Sequence, residues 1–191
     1  MKNIFILLLA VFLLASNLSA QFETQVQDLS AWIEYMTPGD MHKMMQNDAG
    51  EWNTTIKMWM DANSEPQITK GHAKMEMVLG GRYLRTHHFG DSPDMPMEGI
   101  GYQAYDNIQK EFIATWIDNM GTGMMITRGK YDPKTKTTTM TGTIVDPAVG
   151  KEIPVKEISR YINDDKIIME MFVTYDKGEF KSMEIVMERV K

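Results

Sequence analysis

Two residue types in this chain carry side-chain chemistry in a pattern worth testing: histidine, present four times, and methionine, present 19 times. The histidines are His42, His72, His87 and His88. His87 and His88 are adjacent, and adjacent side chains on a strand point to opposite faces, so they are poorly placed to chelate one ion together. None of the two-histidine helix spacings typical of zinc sites occurs. A zinc site would have to join His72, one of that pair and a carboxylate, because zinc takes three or four ligands. The plainer expectation is that these are rim or surface histidines, and no metal site is assigned.

Methionine makes up about one residue in ten of the chain, well above ordinary usage. Met58 and Met60 fall on one strand face by their spacing, as do Met75 and Met77, Met169 and Met171, and Met183 and Met187. Soft thioethers select Cu(I). Methionine also fills irregular core gaps and lines adaptable pockets. Most of these positions alternate as core residues do, which points to core or pocket lining, with copper handling as the alternative. Met95-Pro96-Met97 and the stretch from Met120 to Met125 sit nearer loops.

Acid–base and nucleophilic chemistry has less support. There is no Gly-x-Ser-x-Gly elbow and no cysteine, which also removes disulfides, iron–sulfur clusters and cysteine-based zinc sites. GIGYQAYDN has two glycines but reads as a strand with no helix after it, so it is not a phosphate cradle. Asp118, Glu157 and Glu170 are carboxylates within strand patterns and are expected to face solvent, Asp118 with the further option of capping the turn that follows it. No catalytic set and no cofactor follow, and the chain reads as a binding protein more readily than as an enzyme.

The elements that must position these residues are strands. From Glu51 onward the hydrophobic period is two. Candidate strands are 51–61, 67–79, 82–89, 97–105, 110–118, 123–131, 136–145, 151–162, 166–175 and 179–190. Turn chemistry separates them, as in Gly80-Gly81, Asp132-Pro133-Lys134, Asp146-Pro147 and Asp176-Lys177-Gly178. Short gaps make neighbours antiparallel hairpins. A meander of ten strands normally curls and closes, which removes its edges. The expected fold is all-β: an up-and-down antiparallel barrel of about ten strands with a short helical lead-in, a two-sheet sandwich being the alternative. The strand at 110–118 has two almost equally apolar faces. Before the strands, Thr37-Pro38-Gly39-Asp40 reads as a capping box with Thr37 as N-cap, followed by Met41, Met44 and Met45 on one helix face. Ser30 reads as the cap of an earlier turn carrying Trp32, Ile33 and Met36.

The chain opens MKNIFILLLAVFLLASNLSA. Lys2, an apolar run from Ile4 to Ala15 and a small-residue end at Ala20 are the marks of a secretory signal peptide, and the run is too short to span a bilayer. The expected organisation is a signal peptide at 1–20, a helical lead-in at 21–49 and a barrel domain at 50–191. The product is expected outside the cytoplasmic membrane, periplasmic or secreted, without membrane insertion after cleavage. The net charge is −6, with 43% hydrophobic and 24% charged residues. That composition is globular, and an acidic chain without a basic block is not expected to bind nucleic acid. It leaves the oligomeric state open.

The stretches GEWNTTIKMWMD, VLGGRYLR, MEGIGYQAYDN, FIATWIDNMGTGM, GKYDPKTKTTTMTG and MEIVMERVK resemble the bacterial domain-of-unknown-function family 1579. The resemblance spans nearly all of residues 37–191 and is most specific between Gly99 and Gly123. It implies a calycin-like fold, related in shape to lipocalins and fatty-acid-binding proteins. It implies no catalytic residues.

A barrel of eight to ten strands is either filled or keeps a cavity for one small ligand. Strand glycines and alanines at Gly71, Ala73, Gly99, Gly101, Ala104 and Ala114 mark bends or close approach by another group. Mixed small, aromatic and methionine linings suit an apolar ligand. The residues expected to line such a site are Trp52, Met58, Met75, Met77, Tyr83, Trp116 and Met169. The packed-barrel scaffold without a ligand is the remaining alternative. Mass measurement of the exported protein is expected to give a mature chain beginning at Gln21; retention of residues 1–20 would remove the export reading.

Overall fold

The computed structural model describes residues 27–91 and 96–191. It divides into two units, one ending at Thr37 and one running from Pro38 to Lys191. In the first, residues 27–36 form a helix, α1, with every side chain exposed. Ser30 lies inside this helix and not at its start. Thr37 is not an N-cap either: its hydroxyl donates back to the Ile33 carbonyl at 2.6 Å, a bond that ties it to the turn preceding it.

The second unit opens with α2 (Asp40–Asn47), whose N-cap is Gly39. The capping interaction comes from His42, whose Nδ1 accepts the Gly39 N–H at 3.0 Å. The third helical residue thus reaches back to the cap as a glutamate would in a capping box. Met45 is fully buried, with Met41 and Met44 packed against the same cluster.

Ten strands follow: β1 (Gly50–Met58), β2 (Gln67–Val78), β3 (Tyr83–Gly90), β4 (Met97–Asp106), β5 (Glu111–Asp118), β6 (Met125–Asp132), β7 (Thr137–Asp146), β8 (Lys151–Asn163), β9 (Lys166–Tyr175) and β10 (Gly178–Arg189). Each pairs antiparallel with its sequence neighbour, and β1 also pairs with β10, closing the sheet into a barrel. Three hairpins share one turn design. The carboxylates of Asp106, Asp132 and Asp146 accept the N–H groups of Ile108, Lys134 and Ala148 at 2.8, 2.9 and 2.7 Å, the local bond that makes aspartate a turn residue. Lys110, Lys136 and Gly150 then take positive φ to re-enter the next strand.

Alternation assigns the inner face. Trp52, Thr54 and Ile56 of β1 are buried, as are Gly71, Ala73 and Met75 of β2, Leu84 and His88 of β3, and Ile153 and Val155 of β8. The outer face carries ion pairs across neighbouring strands, including Lys57–Glu184, Lys181–Glu170 and Arg160–Glu170. Two irregularities break the ladders, between Lys181 and Met183 in β10 and between Tyr161 and Asn163 in β8.

The ambiguous strand is resolved by its neighbour. Phe112, Ala114, Trp116 and Asp118 face inward because Trp116 pairs with Gly101. Its indole occupies the space that side chains on β4 would fill: a Cβ on Gly99 would lie 2.2 Å from the Trp116 ring and one on Gly101 3.1 Å from it. Strand glycine here is a seat for an aromatic plate.

At Gly129 the constraint is backbone, since an added Cβ would meet the Thr139 carbonyl oxygen at 1.8 Å. Gly129→Ala is therefore expected to lower stability in urea by about 2 kcal/mol or more through forced strand separation. Gly121→Ala, with nothing within 4 Å of the added atom, is the control and should leave the urea midpoint nearly unchanged.

Candidate functional site

The two ends of the barrel differ. α2 packs at the end formed by the start of β1 and the β2–β3 and β4–β5 turns, and its Met45 joins Trp52, Met75, Leu84, Phe112, Met140 and Ile167 in one buried cluster. Trp52 is fixed there from both sides: its Nε1 donates to the Asp48 carbonyl at 2.9 Å, and the Arg189 guanidinium lies 4.2 Å from its ring centre. Arg189 also donates to the carbonyls of Asn47 and Ala49 at 2.6 and 2.7 Å, so the last strand holds the end of the helix.

The opposite wall is less tightly filled. On β8, β9 and β10 the inward-register Ile153, Val155 and Val173 form a second buried cluster with Met171 against it, and Ile167 joins the first, while Glu157, Met169, Met171 and Ile185 are only partly buried although they lie mid-strand. So are Ala114 and Trp116 on β5. These inward positions are less covered by neighbouring side chains than those of the two clusters.

Four titratable groups on or next to this interior have shifted pKa values. His88 is 4% exposed and shares a bond of 2.9 Å between its Nε2 and the Thr54 hydroxyl. Its Nδ1 is buried with no hydrogen-bond partner. Burial, aided by the charge of His72, lowers its pKa to about 4, so the ring is neutral at pH 7. Glu157 accepts the Thr127 hydroxyl on Oε2 at 2.9 Å, and burial raises its pKa in spite of that bond. Asp48, at the α2 end, has its pKa pushed up to about 7 by burial, with Arg189 opposing. Beside it Tyr161 is raised by burial and by the Asp48 charge, and accepts a long 3.5 Å bond from Thr138.

The residues expected to line one site are divided among four places. Trp116 and Met169 lie on the inner wall and keep free surface. Met58 has inward register at the rim away from α2 and is 46% exposed. Trp52 and Met75 belong to the packed cluster at the α2 end, with Met77 against it. Tyr83 must be corrected: it is on the outer face, because its neighbour Leu84 is 2% exposed and sets the strand's inward parity. His88 and Glu157 are corrections of the other kind, expected at rim or solvent and found inside. Parity signalled both: His88 is four residues from Leu84, and Glu157 is two from Val155. Asp118 does cap its turn, accepting the Met120 N–H at 2.9 Å, while its second oxygen takes the Trp116 indole N–H at 2.7 Å.

His87 faces outward and contacts Glu98 at 2.7 Å. The Phe89 ring lies against both His72 and His87, at 4.9 and 4.1 Å between centres. Among the described residues no group of three His, Asp or Glu side chains is arranged to hold a metal ion. Residues 92–95, between β3 and β4, lie outside the described residues, as do residues 1–26, which include the stretch expected to be a signal peptide.

Residues 37–189 match the family described as Protein of unknown function (DUF1579). The chain belongs to this family. Among solved structures, the DUF1579 barrel is similar to Rv2717c from M. tuberculosis, at 12% identity and a TM-score of 0.61, with 81% of this chain and 100% of that chain covered. It is also similar to the S-type phycobiliprotein lyase CPES from Guillardia theta, at 9% identity and a TM-score of 0.54, covering 83% of this chain and 96% of that one. These neighbours are calycin-like barrels. No curated protein sequence matches the chain.

The buried acid and the buried base give stability opposite pH slopes. His88 titrates near 6.5 unfolded and about 4 folded, so its contribution is full above 6.5 and is lost as pH falls toward 4. Asp48 titrates at 3.8 unfolded and about 7 folded, so its contribution is full below 3.8 and is lost as pH rises toward 7. Urea midpoints between pH 4.5 and 6.5 should therefore climb more steeply with pH in Asp48→Asn than in the parent, by up to about 1.4 kcal/mol per pH unit. His88→Asn should change the slope in the reverse direction. Unchanged slopes would place both groups in water.

Proposed function

We propose that this DUF1579 protein is an exported barrel that binds one small, apolar, lipid-like molecule against the inner wall of β8–β10 and β5. The observation that carries the reading is the free surface retained by inward-directed Met169, Met171, Ile185, Ala114 and Trp116. Such a wall suits an alkyl chain: methionine adapts to ligand shape, and burial yields about 25 cal/mol per Å² of apolar surface. Access is at the rim away from α2, where Met58 and Asp118 sit. Export rests on the leader at 1–20. One structural neighbour is named as a lyase, so the fold alone does not choose between carrier and catalyst.

A second reading has one observation behind it. Met58, Met183 and Met171 are directly paired on β1, β10 and β9, which puts three thioethers side by side on the inner face. Three soft ligands converging on one point would hold Cu(I). Competition with a micromolar Cu(I) chelator tests it: no competition removes copper, and competition lost in Met183→Leu supports it.

For the carrier reading, Trp fluorescence is followed during titration with lipids and environment-sensitive dyes. Binding is expected in the parent and is expected to be lost in Met169→Lys, which sets a charge on the apolar wall. Ala114→Phe should weaken it by filling space without charge. If neither lipid nor dye binds the parent, the packed scaffold is the better description.

A further inference from the structure

Resting on that carrier reading, we propose that the interior selects an amine-bearing apolar ligand, with the ammonium group at Glu157, and disfavours fatty carboxylates. The argument starts from the charges in inward register. Among the described residues the inward cations are Arg189 and Lys151. Arg189 is held at the α2 end by the carbonyls of Asn47, Ala49 and Asp164 and by the Trp52 ring. Lys151 is at the far rim, exposed, and 3.9 Å from Asp176. Neither is placed to meet a ligand carboxylate on the β8–β10 wall.

Acidic groups occupy the matching positions. Glu157 lies mid-strand between Met140 and Met171. Thr127, which supplies a hydrogen bond to Oε2, is its one hydrogen-bond partner among the described residues. That leaves Oε1 to a ligand. Burial alone holds Glu157 toward its neutral form; an ammonium group gives its carboxylate a charge-assisted hydrogen-bond partner, whereas a ligand carboxylate finds no cation there. The groups in inward register around Glu157 contain no competing cation: β6 contributes Thr127, Gly129 and Tyr131, β7 Met140 and Gly142, and β9 Met169, Met171 and Val173.

Two further features favour the same class. Asp118 stands at the end of β5 on the rim away from α2, accepting the Trp116 indole N–H; a carboxylate at that rim attracts a cation. The inner face also holds the unpartnered, buried Nδ1 of neutral His88. A neutral imidazole supplies no positive charge to a carboxylate ligand.

The test compares decylamine, decanol and decanoate, each below its micelle concentration, by Trp fluorescence and calorimetry at pH 7 on the mature chain. Decylamine is expected to bind at least tenfold more tightly than decanol, and decanoate more weakly than decanol. Glu157→Gln should bring decylamine down to the level of decanol and leave decanol itself unchanged. Glu65→Gln, which removes an exposed loop carboxylate, should alter neither. If decanol binds and decanoate matches or exceeds decylamine, the amine proposal falls while the carrier reading stands. Equal loss of the amine preference in Glu65→Gln would make it a surface-charge effect and also overturn the proposal. If none of the three binds, the carrier reading fails and the proposal fails with it.

Discussion

Closure of the sheet by the β1–β10 ladder is the constraint from which the rest follows. Once the first and last strands pair, no edge remains, and every strand must give one face to a shared interior. A slip of one residue anywhere would exchange that strand's two faces. The register is held against such slips by backbones that touch. A Cβ on Gly71 would lie 2.2 Å from the Phe89 carbonyl oxygen, and one on Gly142 2.2 Å from that of Ile126. These glycines sit on the inner face, where the curved wall brings neighbouring backbones close.

The interior so formed is filled unevenly. At the α2 end a short helix, a buried tryptophan and a stack of methionine and aromatic side chains form a plug. Arg189 locks it by bonding to carbonyls at the helix terminus, where the helix dipole favours a cation. On the β8–β10 wall Ile153, Val155 and Val173 are buried, while Met169, Met171 and Ile185 between the two clusters are only partly covered. The plug supplies a fixed floor, and the flexible wall can repack around different shapes.

Polar groups inside such a barrel carry a desolvation cost unless something meets them. Thr54 meets one nitrogen of His88, and Thr127 meets one oxygen of Glu157. Each group is satisfied on one side only. The fold tolerates this by keeping His88 neutral and holding Glu157 toward its protonated form. The same half-satisfied state is the basis of the amine preference proposed above, since a hydrogen-bonding or charged partner would recover what burial removed.

The ten strands and the all-β class were legible in the chain because period two and turn residues are local signals. Asp106, Asp132 and Asp146 act within their own turns, and alternation needs only neighbours along the chain. The interior was partly legible: Trp116 and Met169 were identified as inward, and the glycines of β4 were identified as marking close approach by another group. His88 and Glu157 were misjudged because polarity suggested a face that parity overruled, and Tyr83 because its aromatic ring suggested the interior while Leu84 beside it takes that face. A glutamate two residues from a buried valine must point where the valine points, whatever its charge. What only the tertiary structure decided was which strand glycines receive which ring, which methionines plug the floor and which remain free, and which polar atoms are left without partners. Those depend on side chains meeting across strands, within one hairpin for Trp116 on Gly99 and Gly101 and, through closure, across more than a hundred residues for Trp52 with Arg189, and no alternation along one strand encodes either.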